Sequence, residues 1–397
     1  VNVALEKTLL RIGVMPLADA APLVVAQAHG FFARHGLEVD LSHERAWAGL
    51  RDKLAVGRLD AAQMPAPMPL ASTLGLDPLS VPMLTALTLN LNGNSIVLSK
   101  KLFARLQDHL TGVNDALAAA RAFAAMVRED LDGGRAAPVF AHVHLFSTHH
   151  YELRYWLAAG GLHPDRDVNL VVVPPPQMLE QLESGRIDGF CVGAPWGELA
   201  QHRGSGRIVA SKRQIWNNAT EKVLAVTEDW ARFHPQTHRA LLRALLEAGD
   251  WLEAPEHRME AARLMVETGL LDGVPVELLA RSLAPMRFAA GAAPFPWRSQ
   301  AVWYLAQMRR WGHVADSVDL SAVAARVFRP DLLRSAAAGL EVNLPLVDDK
   351  CEGGHDAAWQ IDGRLGALSM GADRFLDGAL FDPATSSAAA GSMKTSG

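Results

Sequence analysis

Apolar residues along this chain come in short blocks set off by Gly, Pro and Asn, and the blocks alternate in character. Residues 9–15 form an apolar run interrupted only by Arg11 and Gly13, the mark of a strand covered on both faces. Asp19 then stands as a helix cap, with Pro22 tolerated in the first turn of a helix carrying Leu23, Val24, Ala26 and Ala28. Gly30-Phe31-Phe32 closes that helix. A strand over 37–41, a helix over 46–56 and a strand over 59–63 follow. Strand and helix in short alternation predict an α/β fold with a largely parallel sheet. Residues 81–98 read as strand with a polar break at 90–94. The alternation then restarts: helix 116–127, strand 138–145, helix 151–159, strand 168–173, helix 177–184, strand 189–192. Beyond Val223 the pattern is mostly helical. The organisation expected is one α/β lobe from 1–96 and 223–383, a second lobe inserted at 97–222, and a disordered tail rich in Ala, Ser and Gly at 384–397. Crossings near 95–100 and 217–223 would form a hinge, with a ligand cleft at the carboxyl ends of the strands.

Composition narrows the function classes. The chain has 397 residues, 49% hydrophobic and 20% charged, with a formal net charge of -5, enough for two or three domains. No basic block suggests nucleic acid or an acidic membrane as partner. No apolar run is long enough to span a membrane. Cys191 and Cys351 read as incidental thiols, not a disulfide framework. The first residues show no basic segment, apolar core and small-residue cleavage site, which favours a leaderless, cytoplasmic protein; a removed leader would instead place it in the periplasm. P-loop, GxGxxG, GxSxG and HExxH patterns do not occur in positions that would carry their chemistry, and no cofactor is expected. His142 and His144, on one face of a strand and near His149 and His150, are a weak metal candidate, outweighed by the reading that they line a cleft or surface.

Seven segments in order resemble one family: Gly13-Val14-Met15-Pro16-Leu17-Ala18-Asp19-Ala20-Ala21-Pro22-Leu23, Gly30-Phe31-Phe32, Ala46-Trp47-Ala48-Gly49-Leu50-Arg51-Asp52-Lys53-Leu54, Leu91-Asn92-Gly93-Asn94, Arg154-Tyr155-Trp156-Leu157-Ala158-Ala159-Gly160-Gly161, Gly193-Ala194-Pro195-Trp196 and Thr220-Glu221-Lys222-Val223-Leu224. The chain is similar to the NrtA/CmpA nitrate- and bicarbonate-binding proteins of ABC transporters and their leaderless relatives, the NasS-type nitrate/nitrite sensors. The resemblance implies a class II periplasmic-binding-protein-like fold with an anion site between two lobes, and no enzymatic activity. Its anion contacts fall here on Trp47, Gln63, Asn94, His149, Gly193 and Lys222. Asn94 stands where transporter members carry glutamine, and His150 is adjacent to the histidine position.

These residue types suit a planar monoanion. Lys222 supplies a point charge, His149 a ring N–H, Gln63 and Asn94 amide N–H groups, and Trp47 a flat wall or an indole N–H. With Thr148 as cap, His149 lies in the first turn of a helix; Pro195 opens another beside Gly193, and Trp47 a third. Three helix starts would focus a positive spot, with His149 able to become cationic beside an anion. Each residue also has a plain structural reading, core packing for Trp47 and Trp196, loop capping for the amides and surface solvation for Lys222. The expected function is a cytoplasmic sensor of nitrate or nitrite that controls an antiterminator protein of the NasT type, acting in signal transduction for nitrate assimilation. The alternative is a periplasmic ABC-transporter binding protein for nitrate or bicarbonate. A histidine-based enzyme, as in thiamine-pyrimidine synthesis relatives of this fold, is the third reading.

Overall fold

The computed structural model describes residues 4–110 and 115–386. Two five-stranded sheets organise it. The first holds β1 (Leu9–Val14), β2 (Glu38–His43), β3 (Ala61–Pro65), β4 (Met83–Leu91) and β10 (Thr220–Thr227), in the order β2-β1-β3-β10-β4. The second holds β5 (Asn94–Ser99), β6 (Val139–His142), β7 (Asn169–Val172), β8 (Gly189–Gly193) and β9 (Gly206–Ser211), in the order β7-β6-β8-β5-β9. The chain passes from one sheet to the other between Leu91 and Asn94 and returns between Ser211 and Thr220, so these two stretches are the covalent links between two α/β lobes.

The sheets are mixed where a largely parallel arrangement was expected. β10 runs antiparallel to β3 and β4, and β5 antiparallel to β8 and β9. The physical reason lies in the crossings. The strands that begin at the hinge, β5 and β10, enter their sheets from the cleft side, whereas the other strands, including β4 and β9 that end at the hinge, enter from the far side. β4 is buried at all nine positions because helices cover both faces of the sheet, which explains a run with no polar alternation.

The region after Val223 departs from the helical expectation twice. β10 runs on to Thr227, and a hairpin, β11 (Trp359–Gly363) with β12 (Gly366–Met370), folds late in the chain. Its strands are half exposed, so the apolar signal that marks buried strands is weak there. Near the end, Pro383–Ser386 form one helical turn, which corrects the expectation of disorder from 384; the rest of that tail lies outside the described residues.

Candidate functional site

Strand ends and helix starts from both lobes meet between the sheets. On the first lobe, Gln63 lies on β3 and Lys222 two positions along from its cross-strand partner Leu224 on β10, so both share one face. Asp19 follows β1 in a short 3-10 turn. It makes no capping bond to a helix; its carboxylate is buried, accepting a hydrogen bond from Gln63 Nε2 and lying 3.0 Å from Lys222 Nζ. Trp47 opens the helix Trp47–Ala55, and the Lys222 ammonium stands 5.6 Å from its ring centre. A register shift between Thr220 and Lys222 against β4 marks a bulge. It explains how consecutive residues, ordinarily on opposite faces, both reach the cluster: Glu221 Oε1 is 2.6 Å from Lys222 Nζ.

From the second lobe come Asn94 at the start of β5 and Gly193 at the end of β8, which are cross-strand partners. The helix Thr148–Gly160 supplies the rest. Its cap is Ser147, not Thr148: Ser147 Oγ accepts from His150 N at 3.2 Å, and Thr148 turns its hydroxyl onto Glu221. His149 is fully buried, with Nε2 3.7 Å from Glu221 Oε1. Lys222 and His149, from different lobes, thus approach the same carboxylate oxygen. His150 points elsewhere, because neighbouring helical residues diverge by about 100°. Its Nδ1 meets His142 Nε2 at 3.1 Å, and Arg154 Nε donates to its Nε2 at 2.8 Å.

The helix start expected at Pro195 falls one residue later. The helix runs Trp196–His202, Pro195 is its cap after a cis peptide bond, and Trp196 Nε1 donates to Pro16 O at 3.0 Å, across the lobes.

The site is not the purely positive spot that the sequence suggested. Asp19, Glu152 and Glu221 stand against Lys212 and Lys222, all of them buried. Lys212 Nζ is 2.5 Å from Glu152 Oε1 and 2.6 Å from Glu221 Oε2, and Asn94 Nδ2 donates to Glu221 Oε2 at 2.7 Å and Glu152 Oε2 at 3.0 Å. Burial pushes the Glu152 carboxyl up to about 7 despite Lys212. Burial also raises Asp19, against the pull of Lys222. It works against Glu221 too, but Lys212 and Lys222 together hold that carboxyl below its ordinary range. Burial, reinforced by Lys222, keeps His149 neutral, contrary to the expectation of a cationic histidine. Sequence reasoning missed Glu152 and Lys212 altogether and read Asp19 only as a cap; a Glu-Lys pair at 221–222 beside a distant lysine carries no local signal of convergence.

Three polar atoms of this cluster are buried without a hydrogen-bond or ion-pair partner within 3.5 Å: Trp47 Nε1, His149 Nε2 and Asn94 Oδ1; Asp19 Oδ2 is held by the Lys222 ammonium. Each orphan costs on the order of 1–3 kcal/mol, so several in one place mark a site built to be completed by a ligand. Gly193 keeps the space open. A side-chain carbon there would lie 3.2 Å from Asp19 Oδ2 and 3.5 Å from Asn94 Oδ1. The unpartnered Trp47 N–H, and His149 Nε2 in the tautomer that protonates it, are donors that suit the oxygens of a small planar oxyanion beside Lys222, whereas Asn94 Oδ1 is an acceptor that only a guest with a hydroxyl would meet.

The other candidates of the sequence lie apart from this cluster. His142 and His144 do not share a metal face: His142 Nδ1 is 3.1 Å from His144 O, and His144 Nε2 faces Arg51 of the first lobe at 3.5 Å. Among the described residues no group of three or more His, Cys, Asp or Glu is placed to hold a metal ion. Cys191 and Cys351 are unpaired; burial raises the Cys191 thiol well above its ordinary value.

Fold and cluster together define the class: a two-lobed α/β protein with the periplasmic-binding-protein-like fold. Residues 3–266 match the model of the NMT1-like family. The chain is 40% identical over 356 residues to the bicarbonate transport ATP-binding protein CmpC of Synechocystis sp. PCC 6803, covering 85% of this chain and 51% of that protein. It therefore spans about half the length of the curated relatives it matches first. It is 30% identical to the nitrate/nitrite binding protein NrtA of Nostoc sp. PCC 7120, covering 95% of this chain and 84% of that one. The crystal structure of the periplasmic nitrate-binding protein NrtA from Synechocystis PCC 6803 superposes with a TM-score of 0.84 at 29% identity, over 99% of this chain and all of that one. The chain belongs to the NMT1-like family and to the NrtA/CmpA group of nitrate- and bicarbonate-binding proteins.

Proposed function

We propose that this chain binds nitrate or bicarbonate between its lobes and serves an ABC importer as its solute-binding part. The observation that carries the reading is the buried Lys222 beside three unpartnered polar atoms, Trp47 Nε1, His149 Nε2 and Asn94 Oδ1, from both lobes. In this reading Lys222 sets the charge and Trp47 and His149 donate. Asn94 and Gly193 shape the pocket from the second lobe, and Gln63 holds Asp19 in place. An anion that bridges the lobes stabilises the closed form and so reports its presence to a partner. The relatives named above are binding and transport proteins, and the proposal assigns this chain no reaction. Among the described residues no helix is long and apolar enough to cross a membrane.

The test is calorimetric titration with nitrate, nitrite, bicarbonate and sulfate. Saturable heat with one of the first three is expected; no heat and no thermal shift with any of them refutes the reading. The regulatory version, a cytoplasmic sensor that holds an antiterminator protein of the NasT type until nitrate or nitrite arrives, rests on the sequence resemblance to NasS-type proteins. The relatives' names favour transport. Pull-down with and without nitrate separates the two: capture of an antiterminator only without the anion selects the sensor, and capture of a permease component selects transport.

A further inference from the structure

A pocket of about 350 Å³ lies at the hinge, and none of the anion-site residues lines it. Leu91, where the chain leaves the first sheet, and Asn217 and Asn218, where it returns, form part of its wall. The two crossings are tied to each other there. Asn218 N donates to Asn92 Oδ1 at 3.0 Å and Asn92 Nδ2 to Asn218 Oδ1 at 3.3 Å, with both residues at positive φ. Any group held in this pocket therefore touches the segment that must move when the lobes rotate.

The wall is rich in uncommitted donors. Arg213 follows β9 on the second lobe, is exposed, and makes no hydrogen bond or ion pair with any described residue. Arg287 bridges to Leu91 on the first lobe; its guanidinium donates once, to Met286 O at 3.0 Å, with Glu253 no nearer than 3.9 Å. Asn217 accepts from Arg374 N through its oxygen and leaves its NH2 unmatched among the described residues. Trp359 Nε1 is buried with no partner. Lys350 is already spent on Glu352 and on Asp373, and Asp373 also accepts from Gly353 N at 2.9 Å. Donors thus outnumber open acceptors, and two guanidiniums suited to carboxylate or phosphate sit on opposite lobes. Trp297 and Met370 add apolar wall, and the volume falls at the small end of ligand sites, roughly 300–1,000 Å³.

We propose that this pocket is a second binding site, taking a small organic anion with carboxylate or phosphate groups. By joining Arg213 to Arg287 across the hinge, the anion biases the lobes toward the arrangement seen here. The guest is then an effector: by reciprocity it tightens anion binding in the cleft, and the cleft anion tightens the effector.

The test uses the full chain and two probes, citrate for carboxylates and AMP for phosphate, in calorimetric titrations with and without saturating nitrate or bicarbonate. Saturable binding of at least one probe is expected, weakened about tenfold or more in Arg213→Ser and in Arg287→Gln. Which probe binds tells carboxylate from phosphate. Arg213 has no partner to lose, so Arg213→Ser reads the pocket without disturbing the fold. The proposal is overturned if neither probe binds up to about 10 mM, if both variants bind like the parent, or if nitrate displaces the probe competitively. Pocket occupancy is measured without the cleft anion as well, so failure of the cleft reading leaves this result intact.

Discussion

Anion binding in the cleft should carry a proton with it. The buried cluster holds three carboxylates, Asp19, Glu152 and Glu221, against two ammonium groups, Lys212 and Lys222, with His149 neutral. Adding nitrate beside Lys222 introduces one more negative charge where water cannot screen it. Asn94 stands between Glu152 and that space, its Nδ2 3.0 Å from Glu152 Oε2 and its Oδ1 toward Gly193, and the two charges are taken as about 6 Å apart, roughly two hydrogen-bond lengths. At an effective dielectric of about 20 their repulsion is about 3 kcal/mol, equivalent to about two pK units. Glu152 already titrates at about 7, so it is the group that yields. The sign follows directly. Below about pH 7 Glu152 is protonated before the anion arrives, and affinity is flat. Above it, binding must first draw a proton, and Kd rises by up to tenfold per pH unit until the raised pKa of the bound state is passed. Calorimetry with nitrate at about pH 8 in phosphate and in Tris, whose ionisation heats differ, counts the proton directly. Uptake approaching one proton is expected, and Glu152→Gln should abolish both the uptake and the slope. Nitrate binding with equal apparent enthalpy in both buffers would refute the charge argument while leaving the site itself standing.

Lys222→Met should abolish measurable anion binding and lower stability by about 3–5 kcal/mol, since Asp19 and Glu221 lose a buried counter-charge; denaturant unfolding and calorimetry read the two effects, and parental affinity would remove Lys222 from the site. Gly193→Ala puts a carbon 3.2 Å from Asp19 Oδ2 and 3.2 Å from Leu17, and is expected to weaken binding about tenfold or more with the fold retained; unchanged Kd would mean the ligand lies elsewhere. Asn94→Gln should shift the preference among nitrate, nitrite and bicarbonate, because its amide touches two carboxylates and its oxygen faces the space at Gly193; identical affinities for all three in a titration series dismiss Asn94. His144 is held neutral by burial and by Arg51, its pKa lowered to about 4. It contributes stability that is present above about pH 6.5 and lost as pH falls toward 4. Unfolding midpoints of the parent should therefore fall more steeply over that window than those of His144→Asn; parallel curves contradict it.

The order of elements, the α/β class and the positions of the apolar strands were legible in the chain, because buried strands and amphipathic helices carry their periods locally. So were Trp47, Gln63, Asn94, His149, Gly193 and Lys222 as candidates, through short segments with recognisable order. Tertiary structure decided what local pattern cannot encode. Through the phase of one helix it set His149 beside Glu221 and turned His150 toward His142, and it turned Asp19 from a cap into a buried counter-ion. At the bulge in β10 it set Glu221 beside Lys222, and it brought Lys212 and Glu152 to the same carboxylates from a separate strand end and helix. Charge balance in a closed site is a sum over groups far apart in sequence, so it exists only once the two lobes have met.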